Sequence, residues 1–326
     1  MLKILFNTVL GVVLIFIWSR FVDLEAILLN LSKVNLMYLA PIFLFLLISP
    51  IVRAVRLKIF LSEVKKIKLL DLIFLNGAAM ILNFFIPVRA GEVVKGVYLN
   101  THYQLPLGKS VIWIFLDRFV DFLAVLILAS VLFFVVPTSL SITFIIIITV
   151  ILTLALFLTW LVVYKASFAG KLFSFLRHLF IFNSIKIYFD RFSNFILESF
   201  SILKRHPKDL SLMIAITFLA YVVDAAVWYF NFAALGVNQS FLKMYLGQVL
   251  SALTYLVPAA PGYIGSAVLS GVFGIEANLA SAMTVLFHII SAIFVLIFGL
   301  VSIYSLKIDL GVIFNKIFKR GNSTTI

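Results

Sequence analysis

Charged side chains in two short stretches are the residues of this chain whose types and spacing suit chemistry. The first stretch, NFFIPVRAGEVVKGVYL, covers residues 83–99, and the second, FLDRFVD, covers residues 115–121. Ionisable residues inside apolar sequence are costly in a membrane and mark functional sites by default. We therefore predict a local charge network made of Arg89, Glu92, Asp117, Arg118 and Asp121.

A phosphate group is the ligand that this set of residues suits best. The guanidinium of Arg89 is a planar fork, a shape that binds phosphate oxygens through two hydrogen bonds. We predict that Arg89, Lys95 and Asn83 bind a lipid phosphate and that the neighbouring carboxylates orient the arginine. A structural alternative stays open, because the same ion pairs would also clamp a hairpin in place.

No catalytic residue, cofactor or metal ion is predicted. The sequence contains no HExxH motif, no GxSxG motif and no cysteine. Thiolate catalysis, disulfides and cysteine-based metal sites are therefore excluded.

The composition is that of a protein embedded in a membrane. Of the 326 residues, 64% are hydrophobic and only 12% are charged, and the mean hydropathy is +1.20. Soluble domains carry about twice this share of charged residues. The net charge of +13 indicates basic cytoplasmic loops rather than nucleic-acid binding, because lysine and arginine collect in such loops.

Apolar runs predict an all-α polytopic membrane protein with six full spans and two re-entrant hairpins. Each span has about the 20 residues that are needed to cross the hydrocarbon core. The predicted spans are 4–22, 36–55, 110–136, 140–164, 209–235 and 279–306. The predicted hairpins, 69–99 and 241–276, are broken by proline and glycine, at Pro87, Gly91, Pro258, Pro261, Gly262 and Gly265.

Basic residues fall into loops on one side of this topology. Lysine and arginine are concentrated in residues 53–68, in residues 165–208 and after residue 306. The positive-inside rule makes this side cytoplasmic, so we predict a multi-pass protein of the cell membrane with both termini in the cytoplasm. The same topology places Lys95 and Lys109 in the cytoplasm, and Ser139 and Gln239 outside.

One part of the basic linker has the pattern of an amphipathic helix. Apolar residues recur at helical spacing in residues 180–203, and charged residues follow another line of the same helix. Such a helix suits the cytoplasmic surface of the membrane. Packing on other loops is the alternative.

The chain is predicted to be a single transmembrane domain, residues 1–326, that contains an inverted repeat. A shift of 171 residues places Pro87 on Pro258 and Gly91 on Gly262. The parts in chain order are repeat one at about 36–136, the linking span 140–164, the basic amphipathic linker 165–208 and repeat two at about 207–306. Inverted repeats with broken helices are typical of transporters; a chance alignment of apolar segments is the alternative.

Two polar residues of the second repeat overlie residues of interest in the first. His288 overlies Asp117 and is a possible polar site near the second hairpin, although a lone histidine is more often a packing residue. Asp224 overlies Arg53. Because inversion places these two positions near opposite faces, we predict that they are not paired.

Three motifs resemble those of the lysylphosphatidylglycerol synthase transmembrane-region family, whose members are also called flippase-like domain proteins. The motifs are NFFIPVRAGEVVKGVYL, FLDRFVD and PAAPGYIG. The resemblance implies an integral membrane domain that moves or presents lipids with phosphate headgroups, fused in some members to a synthase or a glycosyltransferase. The chain departs from the family at Val268, where a glutamate is expected after the second motif.

The function expected from these observations is translocation of an anionic phospholipid or of a polyprenyl-phosphate-linked lipid. The partners are then membrane lipids with phosphate headgroups, and no nucleic acid is expected. Two alternatives stay open. One is a membrane-embedded transferase that uses the carboxylates as bases, and the other is a non-catalytic scaffold for a separate lipid-modifying enzyme.

Overall fold

A computed structural model of the chain describes residues 23–62, 65–85, 90–139, 142–178, 182–205, 207–254 and 268–308. Every regular element in these ranges is helical. The helices are α1 (Leu24–Ser32), a 3-10 turn (Leu36–Tyr38), α2 (Leu39–Leu61), α3 (Leu69–Phe85), α4 (Ala90–Tyr103), α5 (Leu107–Val135), α6 (Ile142–Tyr164), α7 (Ala166–His178), α8 (Asn183–Arg205), α9 (Pro207–Ala234), α10 (Phe241–Thr254) and α11 (Ala277–Ser305). A short helical turn also covers residues 268–273.

Within the described residues, five helices are long and apolar enough to cross a membrane. Their spans are Leu36–Leu61, Ile112–Val135, Ile145–Tyr164, Lys208–Ala234 and Ala277–Ser305. Each has at least the ~20 residues that cross the hydrocarbon core. Five of the six predicted spans are therefore confirmed, and the first, 4–22, lies outside the described residues.

The ends of several helices are set by local sequence. The Asp23 side chain accepts hydrogen bonds from the backbone N–H groups of the first turn of α1, and Glu276 does the same for α11. These bonds satisfy donors that have no partner inside the helix. After α9, Gly236 has a φ of +75°, a left-handed conformation that glycine adopts without steric cost.

Helices α2 and α9 pack against each other in an antiparallel pair. At one end, the backbone N–H of Asn35 donates to the carbonyl of Ala234 at 2.8 Å. Towards the other end, Arg56 of α2 donates to Thr217 of α9. Between these contacts the buried Ile42 and Val227 belong to one apolar cluster. Because the two helices run in opposite directions, residues near the C-terminal end of α2 lie beside residues near the N-terminal end of α9.

Helices α3 and α4 also run antiparallel, side by side. Near the start of α4, Gly91 lies so close to α3 that a Cβ atom there would be 2.2 Å from the carbonyl oxygen of Ala79. At the other end of the pair, the Tyr103 hydroxyl donates to a carboxylate oxygen of Asp71. Burial and this hydrogen bond raise the pKa of Tyr103 to about 12, so the phenol remains the donor. Pro87, the predicted break, lies outside the described residues.

Helix α2 extends further than the sequence predicted. The predicted span ends at residue 55, whereas the helix continues to Leu61. Arg53 and Arg56 are therefore helical residues and do not belong to the cytoplasmic loop in which they were counted. The helix continues because both arginines are paired with carboxylates of neighbouring helices, so their charges need not leave the membrane.

The basic linker forms two helices where one was predicted. Helix α8 covers the predicted amphipathic segment, and α7 precedes it. Arg177 of α7 and Asp190 of α8 form an ion pair at 2.8 Å. Helix α8 packs on α5 through aromatic contacts, in which Phe200 meets the ring of Phe119 edge-on at 4.7 Å between centroids.

Candidate functional site

Polar side chains form one stripe on each of three neighbouring helices. Residues three or four positions apart share a face of a helix; the stripes on α2 and α9 have this spacing, and on α5 both Asp117 and Arg118 are so spaced from Asp121. The stripes are Ser49, Arg53 and Arg56 on α2, Asp117, Arg118 and Asp121 on α5, and Thr217, Tyr221 and Asp224 on α9. The three stripes face one another where α2, α5 and α9 meet.

Arg56 lies at the centre of this meeting point. Its side chain is only 2% exposed. One guanidinium nitrogen, Nη2, lies 2.7 Å from Oδ1 of Asp117, and the other, Nη1, donates to Oδ1 of Asp121 and to the Thr217 hydroxyl. A buried charge is tolerated when it is paired and hydrogen-bonded in this way. Arg56 thus joins the three helices.

Arg118 connects the site to helix α4. Its Nη2 lies 2.6 Å from Oδ2 of Asp117, and its Nη1 lies 3.0 Å from Oδ2 of Asp121. The same Nη2 is 4.0 Å from Glu92 on α4. Glu92 in turn is 3.5 Å from the Nζ of Lys95. The antiparallel pair α3–α4 is therefore tied to α5 by charge.

Arg53 forms a second connection between α2 and α9. Its Nη2 lies 2.6 Å from Oδ2 of Asp224, whose other oxygen accepts a hydrogen bond from Ser49 at 2.7 Å. The guanidinium also lies over the ring of Tyr221, 5.8 Å from its centroid, and 4.0 Å from Asp121. The prediction that Arg53 and Asp224 are unpaired is wrong. Side chains of a helix lean towards its N-terminus, so the long arginine side chain reaches back along α2 to Asp224.

These contacts form a single ion-pair network that is balanced in charge. It contains four cations and four carboxylates, namely Arg53, Arg56, Lys95, Arg118, Glu92, Asp117, Asp121 and Asp224. Within it, the side chains of Arg118 and Arg53 are the most exposed, at 34% and 27%. Both face Oδ2 of Asp121, whereas the buried Arg56 holds Oδ1. The two arginines are therefore the cations of the network that an anion can reach.

The structure brings together four of the predicted network residues: Glu92, Asp117, Arg118 and Asp121. Of the predicted phosphate-binding residues, Lys95 is buried against Glu92. The side-chain oxygen of Asn83 accepts a hydrogen bond from the backbone N–H of Gly91 at 2.8 Å. Arg89 lies outside the described residues.

The predicted second repeat contributes less to the site. His288 is exposed and makes a hydrogen bond of 2.7 Å with the carbonyl of Thr284, one turn back on its own helix. The predicted breaks of the second hairpin all lie outside the described residues: Pro258, Pro261, Gly262 and Gly265.

Sequence reasoning missed Arg53, Arg56 and Asp224 as members of the site. A signal for them was present, because Ser49, Arg53 and Arg56 share a face of an apolar segment. Assigning both arginines to a loop hid this stripe. In the part of the chain that the structure describes, no group of three or more His, Cys, Asp or Glu residues is placed to hold a metal ion.

A comparison with known families gives a match that covers most of the chain. The family model described as "Lysylphosphatidylglycerol synthase TM region" matches residues 4–299. A comparison with curated proteins finds no match. The matched range contains every residue of the ion-pair network.

Proposed function

Because the chain belongs to the lysylphosphatidylglycerol synthase transmembrane-region family, we propose that it translocates a lipid with a phosphate-bearing headgroup. The lipid class is an anionic phospholipid or a polyprenyl-phosphate-linked lipid. Family membership supports a role in lipid metabolism or transport, and five apolar spans support a multi-pass membrane protein. The observation that carries the proposal is the ion-pair network, in which two arginines remain reachable around one carboxylate.

The headgroup phosphate binds by placing one of its oxygens where Oδ2 of Asp121 lies. This carboxylate oxygen then gives up its contacts with the two arginines. Arg53 and Arg118 both face Oδ2 of this residue, so a phosphate oxygen at that position would contact both guanidiniums. Asp121 keeps its other oxygen on Arg56 and is not left unpaired. The Nε of Arg118 is buried, so the phosphate contacts the terminal nitrogens of this guanidinium.

Arg89 supplies the positive charge that makes binding of an anion favourable. The described network has equal numbers of positive and negative groups, so by itself it has no net attraction for an anion. Arg89 lies three positions before Glu92 in the sequence and adds one positive charge. We keep the prediction that Arg89 binds the phosphate, with Lys95 and Asn83 holding the segment in place.

An inverted repeat accounts for the arrangement of the helices. After a shift of 171 residues, the bounds of α2, α3 and α5 agree with those of α9, α10 and α11 to within three residues. The packing partners correspond as well, since α3 packs on α11 and α10 packs on α5. This correspondence supports the repeat that the sequence predicted.

The repeat also gives the depth of the network in the membrane. Arg53 and Asp224 are 171 residues apart and in contact at 2.6 Å, so each touches its own repeat mate. Such residues lie at the axis that relates the two halves. In an inverted repeat this axis lies in the membrane plane near the midplane. We therefore place the ion-pair network at this depth, where transporters bind their substrates.

The topology proposed is re-entrant, with both termini in the cytoplasm. Helix α3 has 17 residues and a length of about 25 Å, which is shorter than the ~30 Å core. Labelling tests the topology without background, because the chain contains no cysteine. In intact cells, an impermeant thiol reagent should label Gln239→Cys and not Lys109→Cys; labelling of Lys109→Cys from outside would exclude the re-entrant hairpin.

Transport is tested in proteoliposomes that contain labelled phosphatidylglycerol or a labelled polyprenyl-phosphate lipid. The wild-type protein should move the label between leaflets and leave the lipid chemically intact. Arg118→Lys and Arg53→Lys should slow this movement, because lysine keeps the charge and loses the planar fork. Arg177→Lys is the matched control, since it changes an arginine that is ion-paired outside the network.

Two outcomes would overturn the proposal in different directions. A new lipid product that disappears in Glu92→Gln would indicate a transferase. The second alternative is a scaffold, in which the ion pairs only hold helices together. The observation that favours it is that every charged group of the described network has an oppositely charged partner. Absence of both transport and product with every lipid tested, and an unchanged wild-type fold, would support that scaffold.

A further inference from the structure

Helix α8 carries one apolar stripe, of which one half is buried in the protein and the other half is exposed. In the C-terminal half of the helix, Ile196 and Phe200 of this stripe are buried against the protein, Phe200 being 4% exposed. In the N-terminal half, Tyr188 and Phe192 are 70% and 56% exposed. The four residues are spaced by four positions, so they form a stripe that winds gradually around the helix. The stripe therefore continues past the edge of the packed protein.

The exposed half lies at the end of the membrane-spanning helices. Phe200 contacts Phe115 and Phe119, which belong to the first half of α5. Helix α6 ends at Tyr164 and α7 begins at Ala166, so only one residue separates the apolar span from the linker helices. The pair α7–α8 thus begins where a span leaves the hydrocarbon core.

Helix α7 and the residue that precedes α8 provide further exposed aromatic side chains. Phe168, Phe175 and Phe182 are all more than half exposed. The two helices are held together by the ion pair between Arg177 and Asp190 and by the rings of Phe173 and Phe189, whose centroids are 6.2 Å apart. They therefore form one unit, which we call the aromatic wing and define as residues 166–178 and 182–192.

Basic residues accompany the aromatic ones. Lys165, Lys171 and Arg191 are exposed. The one acidic residue of the wing, Asp190, is paired with Arg177. The accessible charge of this segment is therefore positive.

We propose that the aromatic wing lies in the cytoplasmic leaflet and binds anionic lipid headgroups. Exposed aromatic residues next to lysine and arginine are the composition of interfacial helices, whose apolar face enters the boundary between headgroups and acyl chains. Basic residues at this level attract anionic lipids. The bilayer occupies this face because the stripe continues from a surface that packs on two membrane-spanning helices. The wing and the ion-pair network are separate, so this inference does not depend on transport.

Spin labels on single cysteines test the inference in the full chain. The labelled positions are Tyr188→Cys and Phe192→Cys on the stripe, with Asn194→Cys, exposed on another side of α8, as the matched control. The protein is placed in nanodiscs of phosphatidylcholine with or without phosphatidylglycerol. Collision with oxygen and with a water-soluble nickel complex then reports the depth of each label.

Labels at Tyr188 and Phe192 should collide mainly with oxygen, at a depth of about 5–10 Å, whereas the label at Asn194 should collide mainly with nickel. Phosphatidylglycerol should increase the depth, and the double change Lys171→Gln with Arg191→Gln should remove this increase. Nickel access at all three positions would overturn the inference. Spin–spin broadening at Tyr188 would overturn it in favour of a second protein copy, and depth that ignores phosphatidylglycerol would reject binding of anionic lipids.

Discussion

The first set of helices, α2–α5, and its counterpart in the proposed repeat, α9–α11, differ in charge. Seven of the eight residues of the ion-pair network belong to α2–α5, and only Asp224 comes from α9. At the positions that correspond to Arg56, Arg118 and Asp121, the second half has Val227, Ile289 and Ala292. The two halves thus share a helical arrangement but not a chemistry.

Contacts between helices also differ in how closely the backbones approach. Where α3 meets α11, a Cβ atom on Gly77 would lie 2.1 Å from the Ser302 hydroxyl, and one on Gly299 would lie 2.5 Å from Ile81. At Gly247 of α10, the nearest atom to an added Cβ would be 3.2 Å away, on an aromatic ring. Charge is therefore concentrated in the first half, α2–α5, whereas the closest packing lies between the halves, where α3 meets α11. We infer that this half recognises the headgroup and that α9–α11 support it.

The largest effect is expected from Arg56→Ala. Removal of this buried guanidinium leaves Asp117 and Asp121 without their buried partner, at a cost of about 3–5 kcal/mol in the free energy of unfolding. The corresponding change in the second half, Val227→Ala, removes only apolar contacts and should cost less. Thermal melting of the purified proteins in detergent measures both. Equal losses would contradict the charge difference between the halves.

A smaller effect is expected when glycines at helix contacts gain a methyl group. Gly299→Ala and Gly91→Ala should each destabilise the protein by about 1–3 kcal/mol, because the added atom overlaps a neighbouring helix. Gly247→Ala should cost less, since aromatic side chains can move by a few tenths of an ångström. Gly271→Ala is the control, as nothing lies within 4 Å of its added Cβ. The same melting assay applies, and a ranking with Gly247→Ala as the most harmful would refute the packing comparison.

The contact between the halves predicts a non-additive pair of substitutions. Arg53→Gln and Asp224→Asn each remove one partner of the 2.6 Å ion pair. Residues in direct contact usually couple by about 0.5–3 kcal/mol. The double variant should therefore be more stable than the sum of the single losses indicates. Strict additivity in a denaturation cycle would show that the two residues act independently.

The smallest effect is expected at His288. This residue corresponds to Asp117 in the proposed repeat, but it is exposed and hydrogen-bonds only to its own helix among the described residues. His288→Gln should change the stability by no more than about 0.5 kcal/mol and leave lipid movement unchanged. Asp117→Asn, in contrast, should weaken both. A transport defect in His288→Gln would give the second half a role in the chemistry.

The spans were predictable from sequence because twenty apolar residues leave few alternatives in a membrane. The end of α2 was not predicted correctly, because hydropathy counts Arg53 and Arg56 as signs that a span has ended. Their acceptance in the helix depends on Asp117, Asp121 and Asp224, which come from helices distant in sequence. Pairing between helices of this kind cannot be deduced from a local window.

The residues of the site were likewise predicted only in part. Glu92, Asp117, Arg118 and Asp121 were grouped because charges in two nearby apolar stretches must find partners, and the structure places them together. Pairing of Arg53 with Asp224 was not predicted, because inversion places the two backbone positions near opposite faces. An arginine side chain, however, is long enough to reach along its helix to a partner at another depth.

The two arginines of α2 have a consequence for the biogenesis of the protein. An arginine at the centre of an inserting helix costs about 2.5–3.5 kcal/mol, and α2 carries two arginines in its C-terminal half. The carboxylates that neutralise them come later in the chain, and Asp224 follows Arg53 by 171 residues. Until those helices arrive, α2 is expected to remain shifted, with its arginines extended towards the cytoplasmic surface. Helix α2 would then reach its final depth only after α9 has been inserted.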